Sequence, residues 1–305
     1  MSLLTIGTVA FDTIETPYGK AEKVVGGSCS YISLAASYFT RDINLSAVVG
    51  DDFPKADLDD FQARGINLDG LQIKAGEKSF FWAGRYHSNM NQRDTLVTEL
   101  NVLADFDPIL PEAYQTSDFV MLGNLTPDVQ MRVLQQMKAK PKLVALDTMN
   151  FWMDIALKSL LKVLKKVDLL IVNDEEARQL SGEHSIRKAA TKILTMGPKF
   201  LIIKKGEHGA MLFSKTETFY VPALPLEEVF DPTGAGDTFA GGFMGYLASV
   251  GKKPRFADMK RALVYGSAMA SFCVEKFSTE NLKNLDTQKI NARVKEFTNM
   301  VKVSM

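Results

Sequence analysis

Short apolar runs alternate along the chain with stretches whose apolar residues return every three or four positions. The runs are LLTIGTV (3–9), INLSAVV (43–49), SDFVMLG (117–123), KLVALD (142–147), DLLIVN (168–173) and KFLIIKK (199–205). Each is nearly continuous in apolar character, which predicts a strand buried on both faces. The stretches with helical spacing lie near 29–39, 53–64, 128–140, 154–166, 174–181 and 185–196. Two longer helices are predicted near 237–250 and 256–275, and another near 287–302. Strands that each lead into a helix predict an α/β fold with a central, mostly parallel sheet flanked by helices. Two segments break the rhythm. Residues 12–25 carry Pro17 and Gly19 between polar, extended-looking residues and read as a hairpin. Residues 72–101 contain KSFFWAGRYHSN and DTLVTELNV and show no helical period. Together they predict a small β-sheet projecting from the main body.

A chain of 305 residues fits one large α/β domain with an appendage better than two equal halves. Lysine plus arginine and aspartate plus glutamate number 36 each, so the net charge is zero. That removes the simplest electrostatic case for nucleic acid or an anionic membrane as partner. No stretch approaches the length of an apolar membrane span, and the N-terminus opens on a strand-like run without a signal-peptide pattern. Cys29 and Cys273 lie in apolar helical segments and read as buried small hydrophobes. His87, His184 and His208 are scattered, with no metal-ligand spacing. We expect a cytoplasmic protein.

Ligands of open α/β sheets bind beyond the carboxyl ends of the strands. That rule gathers Asp12, Gly26, Gly27, Asn124, Asp147, Asn173 and Gly206 at one edge, together with the stretch EVFDPTGAGDTFAGGF (228–243). Glycine lets backbone N–H groups approach a ligand, and a helix N-terminus adds unpaired donors and a positive dipole end. Gly234, Ala235 and Gly236 therefore read as an anion cradle. Phe239, Phe243, Tyr246, Leu247 and Val250 continue as a buried helix face. Gly241 and Gly242 inside that helix imply close packing against a neighbour. Asp237, in the first turn, is either a cap that complements the helix dipole or a general base beside an anion hole. The loop is neither a P-loop, lacking Lys-Ser or Lys-Thr, nor a dinucleotide fingerprint.

DPTGAGDTFAGGF (231–243) resembles the C-terminal signature of the ribokinase-like (PfkB) carbohydrate kinase family. VVGGSCSYISLAA (24–36) is similar to its di-glycine motif, NDEEA (173–177) to its Asn-x-x-Glu motif, and IIKKGEHGA (202–210) to the strand and turn before the nucleotide loop. The resemblance covers roughly residues 3–275. It implies a single ribokinase-like domain over 1–305, with a β lid formed by about 12–25 and 72–101. The implied activity is ATP- and Mg²⁺-dependent phosphorylation of a hydroxyl on a sugar or, as the alternative, an adenosine-like nucleoside. By the same resemblance, Asp237 is the base and the N–H groups of Thr233 to Asp237 form the anion hole. Asn173 and Glu176 act around Mg²⁺ and the phosphates, with Glu176 meeting the metal indirectly. Lys204, Gly206 and Thr233 meet the nucleotide. Asp12, Gly26 and Gly27 meet the acceptor. Asp231 stands where some relatives bind a monovalent cation, but the rest of that site is not recognisable around Phe277 to Glu280, which leaves potassium in doubt.

Two departures bear on the acceptor. Tyr31 stands near the position where many sugar-kinase relatives carry an asparagine, which disfavours a small, densely hydrogen-bonded sugar. The lid is also aromatic, with Phe80, Phe81, Trp82 and Tyr86 beside Arg85 and His87. Strand alternation puts Phe81 and Arg85 on one face and Phe80, Trp82 and Tyr86 on the other. One face packs on the body or on a second lid, as in a homodimer; alternatively, it stacks on the acceptor, with Arg85 pairing an anionic group. Asn124 and Asp147 are strand-end residues that either cap loops or line the cleft. A non-catalytic, nucleotide-responsive binding protein on the same fold is the competing class, and the intact Gly234–Asp237 run argues against it.

Overall fold

The apolar runs pair as strands because each offers one row of side chains to either side. In the computed structural model, which describes residues 1–303, Leu4 and Ile6 of the first strand join one buried cluster and Leu3 joins another. In chain order the elements begin β1 (Leu3–Ile6), β2 (Ala10–Thr16), β3 (Gly19–Gly26), α1 (Ser28–Ala36), β4 (Ile43–Gly50), α2 (Lys55–Ala63), β5 (Ile66–Lys74), β6 (Phe80–Tyr86) and β7 (Arg93–Glu99). They continue with β8 (Phe119–Leu122), α3 (Pro127–Gln136), β9 (Leu143–Asp147), α4 (Asn150–Ile155), α5 (Leu157–Leu164), β10 (Leu169–Asn173), α6 (Asp174–Ser181), α7 (Ile186–Ile193) and β11 (Phe200–Lys204). The chain closes with β12 (Ala210–Phe213), β13 (Thr218–Val221), α8 (Ala235–Val250), α9 (Phe256–Cys273), α10 (Glu280–Lys283) and α11 (Thr287–Met300).

Nine strands form the main sheet in the order β13-β12-β11-β10-β9-β8-β1-β4-β5. The stretch from β11 to β5 is parallel throughout, and β12 and β13 add an antiparallel margin. The six apolar runs supply six of its nine strands, β1, β4, β8, β9, β10 and β11. Four further strands form a smaller sheet, β3-β2-β6-β7, built from the two segments without helical rhythm. In it β2 runs antiparallel to β3 and parallel to β6, and β6 runs antiparallel to β7.

Three details differ from the sequence-based expectation. Residues 72–74 do not belong to the small sheet; they end β5, on the margin of the main sheet. Gly70 hides this strand in the sequence, where it reads as a breaker. A Cβ there would meet Leu45 O at 2.7 Å and the Tyr114 ring, so the glycine lets the ring pack against the strand. The expected helix 154–166 is two helices, because Ala156 leaves the helical region at φ −135°. The hairpin β12–β13 has no long apolar run to announce it.

On one face of the main sheet α8 lies between α1 and α9. The two mid-helix glycines serve this packing. A Cβ on Gly241 would overlap the α1 backbone at Ile32, and one on Gly242 would stand 2.8 Å from the Met269 side chain of α9. The packing fixes α8 so that its N-terminus points at the cleft under the lid. No helix among the described residues is long and apolar enough to cross a membrane.

Candidate active site

The loop before α8 is held in place from three sides. Gly234 takes φ +74°, and a Cβ there would run into the Tyr31 ring, which is itself fully buried. One oxygen of Asp231 accepts from the Thr233 N–H at 2.8 Å and the other from the Ser278 N–H at 2.9 Å. Ser278, at φ +55°, donates its hydroxyl to Val25 O beside the di-glycine. Tyr86 of the lid places its hydroxyl 3.1 Å from Thr233 Oγ1. The backbone N–H groups at the start of α8 therefore open onto a fixed concavity, as an anion cradle requires.

Asp237 is not the cap of α8. The cap position is Gly234, which makes no side-chain cap bond, and the Asp237 carboxyl accepts no hydrogen bond from any described residue. Its carboxyl stays in partial contact with solvent while protein crowds it on most sides. That crowding raises its pKa to about 7; Asp147 pushes the same way, and Lys204 and Arg93 pull against it.

Lys204, at the end of β11, stands 3.8 Å from Asp147. Its ammonium would lie 2.6 Å from a Cβ on Gly236, so it reaches the floor of the cradle. Burial lowers its pKa, but Asp147, Glu176 and Asp237 together outweigh burial and keep it protonated. Asn173 and Glu176 form a reciprocal capping box at the start of α6, with both bonds at 2.7 Å. The cap and the site are not exclusive. The box uses one Glu176 oxygen, and the carboxyl still titrates near 7, raised first by burial and then by Asp147.

At the di-glycine, the Asp12 carboxyl lies against Gly26, where a Cβ would overlap it, and the nearby Gly27 N–H works against the rise of its pKa. Burial is the main reason its pKa rises to about 7, with Asp231 and Asp237 adding to the shift. Gly27 itself needs φ +90°, with Thr8 O closing off the space a side chain would take.

Several sequence-based expectations land elsewhere. Tyr31 does not face an acceptor; it is 1% exposed and lies beneath Gly234. Arg85 lies on the lid face opposite Asp12 and pairs with Glu15 at 2.9 Å. Asn124 spends its amide on neighbours, accepting from Trp152 Nε1 at 2.8 Å and lying 3.1 Å from Met149 Sδ. Gly206 stands at the cleft, exposed, with φ +53° and Asn91 of the β6–β7 loop across from it. Asp231 holds two backbone N–H groups, which makes it a latch for the loop.

Sequence reading missed Arg93. This residue begins β7, pairs with Tyr86 across the hairpin and lies 5.6 Å from the Trp82 ring. It sits on an exposed, mixed strand, and no local motif marks it. Ser278 was also missed, since a serine with positive φ leaves no sign in a sequence.

The site gathers Asp12, Asp147, Glu176 and Asp237 against two cations, Lys204 and Arg93. No three His, Cys, Asp or Glu among the described residues converge as a metal cage. A Mg²⁺ that arrives with nucleotide phosphates needs only one or two carboxylates, and an acidic excess beside an anion cradle suits it.

Three comparisons bear on this geometry. The family model described as pfkB family carbohydrate kinase matches residues 2–286. A cytidine kinase of Thermococcus kodakarensis is 30% identical over 251 residues, 81% of this chain and 88% of that protein. Among solved structures, one from E. coli described as a ribokinase II, in complex with ATP and Mg²⁺, superposes with a TM-score of 0.80 at 19% identity, covering 97% of this chain and 99% of that one. A Burkholderia thailandensis nucleoside kinase in complex with inosine gives 0.76 at 19% identity, covering 98% and 99%. The fold is thus ribokinase-like, and the chain belongs to the pfkB family of carbohydrate kinases, phosphotransferases that act on a hydroxyl of a sugar or nucleoside.

Proposed function

We propose that this kinase transfers the γ-phosphoryl group of MgATP to the primary hydroxyl of a nucleoside. The observation that carries the acceptor class is the inner face of the lid. Trp82 is the register partner of Asp12 across β2 and β6, so the two side chains share a face. The indole lies flat over Gly84, where a Cβ would overlap it, and its N–H reaches Thr95 Oγ1 at 3.3 Å. Phe81, on the opposite face, packs against the main core. A flat, part-exposed ring beside the acceptor acid suits a nucleobase, while Asp12 and the Gly26–Gly27 backbone suit ribose hydroxyls. The similarity to a cytidine kinase and to a nucleoside kinase holding inosine supports the same reading.

In this reading Asp237 takes the hydroxyl proton while the cradle of Thr233 to Asp237 and Lys204 hold the transferring phosphoryl group. Asn173 and Glu176 would help hold Mg²⁺ that arrives with the nucleotide; when bound it would neutralise charge on the phosphate oxygens. Gly206 lines the nucleotide side. The whole chain acts as one kinase domain and the four-stranded sheet as its lid. Asp231 works as a latch, so the reading gives potassium no role. A homodimer through the lid fits β7, an edge strand exposed along its length that carries Leu96 and Val97 with Leu100 beside it. Two free, buried cysteines fit a cytoplasmic location.

Trp82→Ala tests the acceptor class. Base stacking on an aromatic side chain is worth about 1–3 kcal/mol. The substitution is therefore expected to lower kcat/KM for a nucleoside by about 10- to 100-fold, with little effect on a bare pentose. Equal losses for both acceptors would sink the stacking role.

The acid limb of the pH profile is a second test. Asp12, Glu176 and Asp237 each titrate near 7 in the free protein and each acts ionised. The logarithm of kcat/KM should fall below pH 7 with a slope steeper than one. Asp12→Asn should make that limb shallower. A flat profile down to pH 5 would contradict the assignment.

A further inference from the structure

We propose that Tyr86 is a positioning residue for the anion cradle: it holds Thr233, and through Thr233 the N–H groups that would meet the transferring phosphoryl group. The Thr233 hydroxyl donates to the Tyr86 oxygen at 3.1 Å, and Tyr86 is buried. The backbone of Thr233 is held by the main body instead. Its N–H donates to Asp231 Oδ1 at 2.8 Å, and its carbonyl accepts from Cys273 Sγ at 3.6 Å. Tyr86 thus supplies the third hold on the first residue of the cradle, and it is the one that comes from the lid.

Topology explains why the lid reaches this point. β2 and β6 run parallel, with Glu15 opposite Arg85. Tyr86 and the turn after β2 therefore lie at the same end of the small sheet. That turn meets the same loop three residues earlier. The centroid of the Tyr18 ring lies 5.2 Å from that of Phe230, whose N–H is anchored to Val274 O at 2.8 Å. Gly19 beside it packs on Phe277, where a Cβ would stand 3.7 Å from the ring. The segment between β13 and α8 has no regular secondary structure, so side-chain ties of this kind set its shape.

Asp12 and Trp82 stand side by side on the same two strands. An acceptor that meets them bears on the sheet that holds Thr233. Linkage makes the effect mutual: an acceptor that settles this sheet tightens the nucleotide, and the nucleotide tightens the acceptor by the same factor. The tie is a neutral hydroxyl pair, whose net worth limits that factor to about two- to tenfold. The role of Tyr86 rests on the reading of Thr233 to Asp237 as the phosphoryl cradle and not on the identity of the acceptor.

The test compares Tyr86→Phe, Thr233→Val and the double variant with wild type, using the acceptor that wild type turns over best, nucleoside or sugar. The dissociation constant of a non-hydrolysable ATP analogue with Mg²⁺ is measured with and without that acceptor. Wild type should bind the analogue more tightly when the acceptor is present. In Tyr86→Phe that gain should shrink by about two- to tenfold, and kcat should fall by a similar factor. Thr233→Val should cause the same loss, Thr233→Ser should recover most of it, and the double variant should be no worse than either single one. No gain in wild type, an undiminished gain in Tyr86→Phe, additive losses in the double variant, or losses that merely track melting temperature would overturn the proposal. Wild-type affinity for the analogue in Gly234→Ala would defeat the cradle reading itself. Weakened binding in Gly234→Ala beside a normal Tyr86→Phe would defeat only the role of Tyr86.

Discussion

Asp237→Asn is expected to lower turnover by about 10²- to 10⁴-fold and, above pH 7, to make the unliganded protein more stable. Both effects have one cause. The Asp237 carboxyl is crowded by protein, makes no hydrogen bond to it, and faces other acids, which is why it titrates near 7. An asparagine keeps the shape but cannot accept the acceptor's proton. The stability effect follows from linkage. A carboxyl whose pKa is raised in the fold holds its proton more tightly folded than unfolded. The fold is therefore favoured at low pH and loses that advantage as pH rises from about 4 to about 7. Above 7 the charge is fully present and its burial is fully felt. Asparagine carries no charge, so the melting temperature of the variant should exceed that of wild type at pH 8 and match it near pH 4. A variant that melts below wild type at pH 8 would show that Asp237 is structural after all.

Gly234→Ala should damage the cradle and the fold together. At φ +74° an alanine is strained by about 1–3 kcal/mol, and its Cβ would fall on the buried Tyr31 ring. Overpacking of that kind adds about 1–3 kcal/mol. The expected sum, about 2–6 kcal/mol, should appear in denaturant unfolding, and ATP affinity should drop as the loop shifts. The two contributions can be separated. In a Tyr31→Leu background the ring is gone, and Gly234→Ala should then cost about 1–3 kcal/mol less than it does alone. Strict additivity would mean that Tyr31 does not support the loop.

The parallel sheet was legible because strands buried on both faces must be apolar without interruption, as LLTI, LVALD and LLIVN are. β5 escaped because Gly70 and Asp69 break its pattern, and the reason for the glycine lies in the distant Tyr114 ring. The loop that forms the candidate cradle was readable for a similar reason. An anion cradle needs glycines, a helix start and a carboxylate in one short stretch, and residues 231–237 carry all of them. The acceptor end depends on which lid residues share a face and where they reach. Arg85 and Arg93 are equally plausible as sequence; hairpin register puts one beside Glu15 and the other beside the Trp82 ring. Tyr31 misled for the opposite reason. It lies one turn past the di-glycine, where a ligand group is expected, yet it turns inward beneath Gly234.

The central claim, a nucleoside kinase whose base is Asp237, is tested most directly by acceptor-dependent ADP release. Wild type and Asp237→Asn would be assayed with MgATP against cytidine, adenosine, inosine, ribose and a hexose. The expected result is ADP release that requires a nucleoside, with kcat/KM at least tenfold above that for either free sugar and a near-blank trace for the variant. ADP release with no acceptor preferred, preference for a free sugar, or full activity in Asp237→Asn would contradict it.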